Sequence, residues 1–86
     1  MAGGVCGKCK RHHDRLTVDH IIPAHLLQQF GLLEESYGDE ENYELLCKNC
    51  NGMKGSRVDP FHPKTIPLLT KYIGIMTERY GTHSIT

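Results

Sequence analysis

Two C-x-x-C pairs constrain this chain more than any other feature. Cys6-Gly-Lys-Cys9 and Cys47-Lys-Asn-Cys50 stand 37 residues apart. Two intervening residues let both sulfurs of one turn face a single ion at about 2.3 Å. Two such turns complete a tetrahedron with no open position, the donor set of a structural zinc ion. Four cysteines also permit a disulfide framework with three possible pairings. No basic start followed by an apolar stretch marks an export signal, so a reducing, cytoplasmic location is expected and disulfides are disfavoured. A dithiol redox centre is disfavoured because the chain shows no βαβ pattern. The expected site is therefore Zn2+ on Cys6, Cys9, Cys47 and Cys50, joining the ends of a longer motif. The staple matters because 86 residues with no Trp and two Phe make one domain with a small core. His12 and His13 read as solvated turn residues or ligand contacts.

The rest of the chain divides around the two pairs. Residues 1–5 carry two glycines and read as a flexible leader. Leu16 to Ile22 is aliphatic and β-branched up to Pro23, which predicts a strand. Leu26, Leu27, Phe30 and Leu33 predict one short amphipathic helix, weakened by Gly31. Residues 34–44 are acidic. Tyr43 to Leu46 predicts a second strand running into Cys47. Asn49 to Ser56 predicts a short helix despite Gly52. Residues 58–86 read as a linker and a C-terminal helix packing on the core. Thr65 is its expected cap, with Pro67 in the first turn. Its expected buried stripe is Leu69, Ile73, Met76 and Tyr80, with Ile66 and Tyr72 beside it.

Zinc does not explain Asp19-His20 at the end of a strand, or Asn51-Gly-Met-Lys54 after the last cysteine. Attack of water on a phosphodiester needs a hard divalent cation on oxygen ligands and a general base. Asp19 offers a carboxylate, Asn51 an amide oxygen and His20 an imidazole, the side chain suited to proton uptake near neutral pH. Adjacent strand residues point to opposite sides, so Asp19 and His20 suit different tasks. Asn51 and Lys54 are i, i+3 on one helix face, which brings Lys54 toward the same phosphate. Arg57 and Lys48 are further candidate phosphate contacts. His25 is a helix-surface residue or an accessory metal or phosphate contact.

In order, these blocks are Cys-x-x-Cys, Asp-His-Ile-Ile-Pro, then Glu-Asn-Tyr-Glu-Leu-Leu-Cys-x-x-Cys-Asn-x-x-Lys. Across residues 6–57 the chain resembles the HNH endonucleases of the ββα-metal, or His-Me finger, fold. The resemblance implies an α+β domain, a zinc-stapled ββα core with a helical insertion and an extra C-terminal helix. It implies His20 as the base that activates water and Asp19 as a ligand of catalytic Mg2+ or Mn2+. It implies Asn42 as the residue orienting the loop of the base, and Asn51 as the last metal ligand, an H-N-N variant. An asparagine there favours a hard ion. DNA is the implied partner, the products are 5′-phosphate and 3′-hydroxyl ends, and the four cysteines match the subgroup with structural zinc. Small members of the family also assist larger phage or mobile-element machinery, which makes a larger protein a further expected partner. The departure is an acidic insertion at about residues 24–41, where many members have a shorter connection. The competing interpretation is a zinc-stapled module that binds nucleic acid or protein without catalysis. Asp19-His20 separates the two, since a pure binder gains nothing from a carboxylate close to phosphate.

The formal net charge is zero, which argues against indiscriminate attraction to nucleic acid or anionic membrane. Taken by segment it is uneven. Lys8, Lys10, Arg11 and Arg15 face only Asp14 among residues 1–18, and Lys48, Lys54, Arg57 and Lys64 face only Asp59 among residues 45–64. The acidic excess sits between. Weak, salt-sensitive DNA binding by a monomer or weak dimer is expected. No apolar stretch is long enough to predict a membrane span.

Overall fold

A computed structural model describes residues 2–81. Met1, from the expected leader, and residues 82–86, from the end of the C-terminal segment, lie outside the described residues. The elements are β1 (Ala2–Val5), β2 (His12–Arg15), β3 (Thr17–His20), α1 (Ala24–Gln29), α2 (Leu33–Gly38), a single 3-10 turn (Glu40–Asn42), β4 (Tyr43–Leu46), α3 (Lys48–Lys54) and α4 (Thr65–Tyr80). The fold is α+β, and β3, β4 and α3 form the expected ββα unit.

Residues 2–5 are not a loose leader but the strand β1, antiparallel to β2 with Ala2 opposite Arg15 and Val5 opposite His12. Neither strand carries a propensity signal: one is Ala-Gly-Gly-Val, the other His-His-Asp-Arg. The intervening cysteine turn brings them together, closed by Cys6 N–H on the Arg11 carbonyl at 2.9 Å. Gly3 is required in this hairpin, because a Cβ there would stand 2.6 Å from the His13 carbonyl oxygen.

The second hairpin pairs Thr17 with Leu46, Asp19 with Glu44 and His20 with Tyr43. It is shorter than the hydrophobic run suggested. Ile21 and Ile22 leave the ladder and enter a core with Leu27, Leu32, Leu68 and Tyr72. A separate cluster of Cys6, Leu16, Leu46, Cys47 and Cys50 forms around the cysteines. The ββα unit thus has a cysteine end and a helical end, each with its own small core.

The single helix expected around Leu26 to Leu33 is two. Gly31 breaks it at φ 78°, a conformation that costs an L side chain energy, and a Cβ there would also meet the Tyr80 hydroxyl. The break turns Leu32 inward to full burial and leaves Phe30 and Leu33 exposed. Helix α4 also differs in phase from the expected stripe. Thr65, Leu68 and Tyr72 are buried, while Ile66, Ile73 and Tyr80 are exposed. Leu69, Ile75 and Met76 pack at the margin. Thr65 is not the cap: it is the first helical residue, and its hydroxyl donates to the Asp59 carbonyl at 2.6 Å. Pro67 is tolerated because the first-turn N–H groups have no helical acceptor.

The acidic insertion sets that phase. Lys71 pairs with Asp39 at 2.9 Å and Glu41 at 3.4 Å. The Tyr72 hydroxyl donates to Asp39 at 2.7 Å, and Arg79 holds both oxygens of Glu35 at 3.1 and 3.0 Å. The Tyr80 hydroxyl donates to the Gly31 carbonyl. A helix tied at Asp39 and Glu35 must present Tyr72 and Leu68 to the core, whichever apolar stripe its sequence offers. Among the described residues, no helix is long and apolar enough to cross a membrane.

Candidate metal centre and active site

The four cysteine sulfurs lie within 4.8 Å of one another, and all four thiols are free of disulfides. Tetrahedral zinc with bonds of about 2.3 Å places sulfurs about 3.8 Å apart, so the donor set fits. Local geometry presents them. Lys8 N–H points at Cys6 Sγ and Cys50 N–H at Cys47 Sγ, each at 3.4 Å. Cys47 is the N-cap of α3, so a metal ion on this cluster would anchor the first turn of a helix that Gly52 weakens. Lys10, just after the first pair, sits at φ 64°. Burial raises the Cys6 thiol, but backbone N–H groups of Cys47, Cys9 and Lys8 outweigh it and bring it down to about 6. Hydrogen bonding to Cys47 and then burial push Cys50 up to about 12. A divalent cation on the cluster favours the thiolate form of all four. His13 Nε2 lies 3.4 Å from Cys9 Sγ, placing it against the cluster rather than in solvent.

Asp19 and His20 reach the end of β3 beside a cleft of about 220 Å³ whose walls include Pro23, His25, Lys54 and Ser56. His20 Nε2 stands 2.9 Å from the Ser36 carbonyl oxygen. A carbonyl only accepts, so Nε2 carries the proton and Nδ1 is the unprotonated atom of the neutral ring. The ring of Tyr43, its cross-strand partner, meets it edge-on at 5.2 Å between centroids. The Tyr43 hydroxyl is itself held by the Tyr37 carbonyl. The insertion therefore fixes the orientation of His20 through the backbone of α2.

Asn42 is fully buried. Its Oδ1 accepts from Ile22 N–H at 2.7 Å, its Nδ2 donates to the Ile22 carbonyl at 2.9 Å, and its own carbonyl accepts from Ile21 N–H at 2.8 Å. These three bonds hold the chain immediately after His20, where it leaves the strand.

Lys54 is buried with its Nζ 2.8 Å from Asp19 Oδ2, and it donates to the His20 carbonyl at 2.7 Å. Asp19 Oδ2 nevertheless accepts no well-aligned hydrogen bond, alone in that respect among buried side-chain polar atoms of the described residues. The cation that this oxygen faces is the Lys54 ammonium, so a metal ion on Asp19 must share or displace it. Asn51 also faces β3, as its i, i+3 relation to Lys54 requires. It lies one step along the strand, with Nδ2 donating to Thr17 Oγ1 at 2.7 Å. Thr17 in turn donates to the Leu46 carbonyl at 2.9 Å. The structure thus brings Asp19, His20, Asn42 and Lys54 together, with Asn51 beside Thr17 rather than in the cleft. Joint ligation by Asp19 and Asn51 requires Asn51 to turn away from Thr17.

Arg57 caps the end of α3 through the Met53 and Lys54 carbonyls, at 2.6 and 3.2 Å. Lys48 lies on the other side of α3, in an open depression with Asn49, Gly52 and Met53. Sequence reasoning missed Ser36, which acts through its backbone and leaves no side-chain signal. It also missed Tyr43, which the register with His20 identifies, and His62, which bridges to Glu44 at 2.9 Å.

Residues 5–57 match the family model for HNH endonuclease. Searches among curated proteins and among solved structures returned no match. The matched span contains both cysteine pairs, the Asp19-His20 strand, Asn42 and α3, and covers more than half of the sequence. With a ββα unit, a four-cysteine cluster and a family match all within the same residues, this chain belongs to the HNH endonuclease family.

Proposed function

We propose that this chain is a divalent-metal-dependent endonuclease that nicks DNA. The family assignment supports a nuclease or nucleic-acid-binding module; the observation that carries the catalytic reading is His20. Its Nε2–H is committed to the Ser36 carbonyl, which leaves Nδ1 to take a proton from water. Tyr43 and the Asn42 clamp hold the ring in place, so little ordering remains for the reaction itself. Asp19 and Asn51 are the residues that would hold Mg2+ or Mn2+. When bound there, the ion supplies Lewis-acid stabilisation of the phosphate and the leaving oxygen. As His20 takes the proton, the water oxygen bonds to phosphorus and the bond to the 3′-oxygen breaks; the 3′-oxygen leaves with the electron pair and takes a proton from solvent water, giving a 5′-phosphate and a 3′-hydroxyl. Lys54 and Arg57 contribute positive charge beside this site, and Lys48 does so from the far side of α3. His25 stands in the cleft wall as a further phosphate contact. One centre per chain makes a nick the expected product; a double-strand break needs a second copy or a second event.

One observation favours the non-catalytic reading: Lys54 already neutralises Asp19 at 2.8 Å. Plasmid nicking by zinc-loaded protein with Mg2+ or Mn2+ separates the two. Wild type is expected to nick, and His20→Ala to be slower by about 10²–10⁴-fold. Folded, zinc-loaded wild type that never nicks under any divalent ion identifies a binding module. His20→Ala as active as wild type removes His20 as the base.

A further inference from the structure

Phe61 is 92 % exposed, the most exposed large apolar side chain among the described residues. It does not sit on a loose linker. Its N–H donates to Asp59 Oδ1 at 2.9 Å, and the Asp59 carbonyl accepts from the Thr65 hydroxyl at 2.6 Å. On one side Val58 packs on the helical core, and on the other His62 is tied to Glu44. The turn presents an aromatic ring to solvent on a rigid base.

The ring borders a groove of about 360 Å³ walled by Lys8, Met53, Lys54 and Arg57. An adjoining hollow adds Lys10 from the first cysteine turn. Lys54 lines this groove and also the cleft that holds Asp19 and His20, so one side chain borders both. Two carboxylates also line these hollows, Asp59, which accepts from the Phe61 N–H, and Glu44, which is hydrogen-bonded to His62, against the basic Lys8, Lys10, Lys54 and Arg57. Lys10 keeps its side chain at a positive φ, where glycine would be less strained. Cations around a rigid exposed ring form a platform for a polyanion with flat apolar faces.

We propose that Phe61 stacks on an unpaired base of the DNA strand whose phosphate lies at Asp19 and His20, with Lys8, Lys10 and Arg57 on neighbouring phosphates. This rests on the nuclease reading for the identity of the strand. A ring standing clear of the surface gains little from an intact duplex, whose base faces are covered, but stacks on a base that is free. The enzyme therefore prefers single-stranded, gapped or flapped DNA.

The test is binding of a labelled oligothymidine and of a labelled, fully paired duplex by zinc-loaded protein without added divalent ion, so that nothing is cut. Phe61→Ala, which removes only an exposed ring, should weaken oligothymidine binding by about 5- to 150-fold, the span of stacking on one base. Duplex binding should be unchanged. Phe61→Trp should restore binding and report it directly, because the chain has no other tryptophan: its indole fluorescence is quenched as the base stacks. Unchanged oligothymidine affinity in Phe61→Ala, equal loss on both DNAs, or unquenched fluorescence of the Phe61→Trp variant at saturation overturns the proposal. Wild type that binds in this Phe61-dependent way but never nicks leaves the proposal standing and removes the nuclease reading. Wild type that nicks while Phe61→Ala binds normally does the reverse.

Discussion

Asn42 shows how much one buried side chain decides here. Both of its amide atoms are spent on the backbone of Ile22. Asn42→Ala leaves a buried N–H and a buried carbonyl without these partners, at about 1–3 kcal/mol each. The expected result is a fall in stability of about 2–6 kcal/mol in urea titration, with nicking lost even in molecules that remain folded. If stability is unchanged, the clamp does not hold the loop. Lys10 is the opposite case, a residue that costs the fold something. Lys10→Gly at φ 64° should raise stability by about 1 kcal/mol while weakening binding to oligothymidine. A variant that is no more stable argues against strain at this position. Asn42 was legible in the sequence because its neighbours Glu41 and Tyr43 place it in a known pattern. Ser36 was not, since what it contributes is a carbonyl that any residue would supply.

At the scale of elements, the insertion and α4 act as one unit. Asp39, Glu35 and Glu41 meet Lys71, Tyr72 and Arg79, so much of the acidic charge is turned toward the protein's own helix. Burial raises the Asp39 carboxyl, but hydrogen bonds from Lys71 and Tyr72 outweigh it and hold it below the usual range. The hydrogen bonds from Arg79 hold Glu35 below its usual range as well. A carboxyl with a depressed folded pKa contributes stability above its unfolded pKa of about 4 and loses it as pH falls through the folded value. The melting temperature should therefore fall as pH drops below about 4, and less steeply in Asp39→Asn. At neutral pH, Asp39→Ala should cost about 1–3 kcal/mol, because the buried Tyr72 hydroxyl loses its acceptor. Equal acid sensitivity in Asp39→Asn and wild type would place the acid-labile contact elsewhere. The apolar periodicity of α4 was readable, but its phase was not, because ionic partners in the insertion choose which stripe turns inward.

For the whole molecule, the two small cores have different supports. The helical end has Tyr72, Ile22, Leu27 and Leu32. The cysteine end has Leu16, Leu46 and the cysteines themselves, few apolar groups for two hairpins and a short helix, so a metal ion on the four thiols is expected to carry much of its stability. Chelation of zinc should abolish the β1–β2 hairpin and α3 first, seen as lost amide protection at residues 2–15 and 47–54. Elemental analysis should find one zinc per chain. Far less than one, in a protein that stays folded, would remove the four-cysteine site. Because α3 carries Asn51 and Lys54, zinc loss should also end nicking.

The pattern of chemistry-bearing residues was present in the sequence: two cysteine pairs, Asp19-His20, Asn42, and Asn51 with Lys54. Spacing specifies these because ligand geometry and strand or helix periodicity act over a few residues. Contacts between distant segments settled the rest. The leader became a strand because a cysteine turn closed it. The acidic insertion became the seat of the His20 ring and the dock for α4. Three of the six acidic side chains of residues 34–44, which sequence alone would set against DNA, meet Lys71 and Arg79 from 30 to 44 residues away. Local rules cannot reach that far, since such pairings gain their energy only after the chain has closed the loop between them.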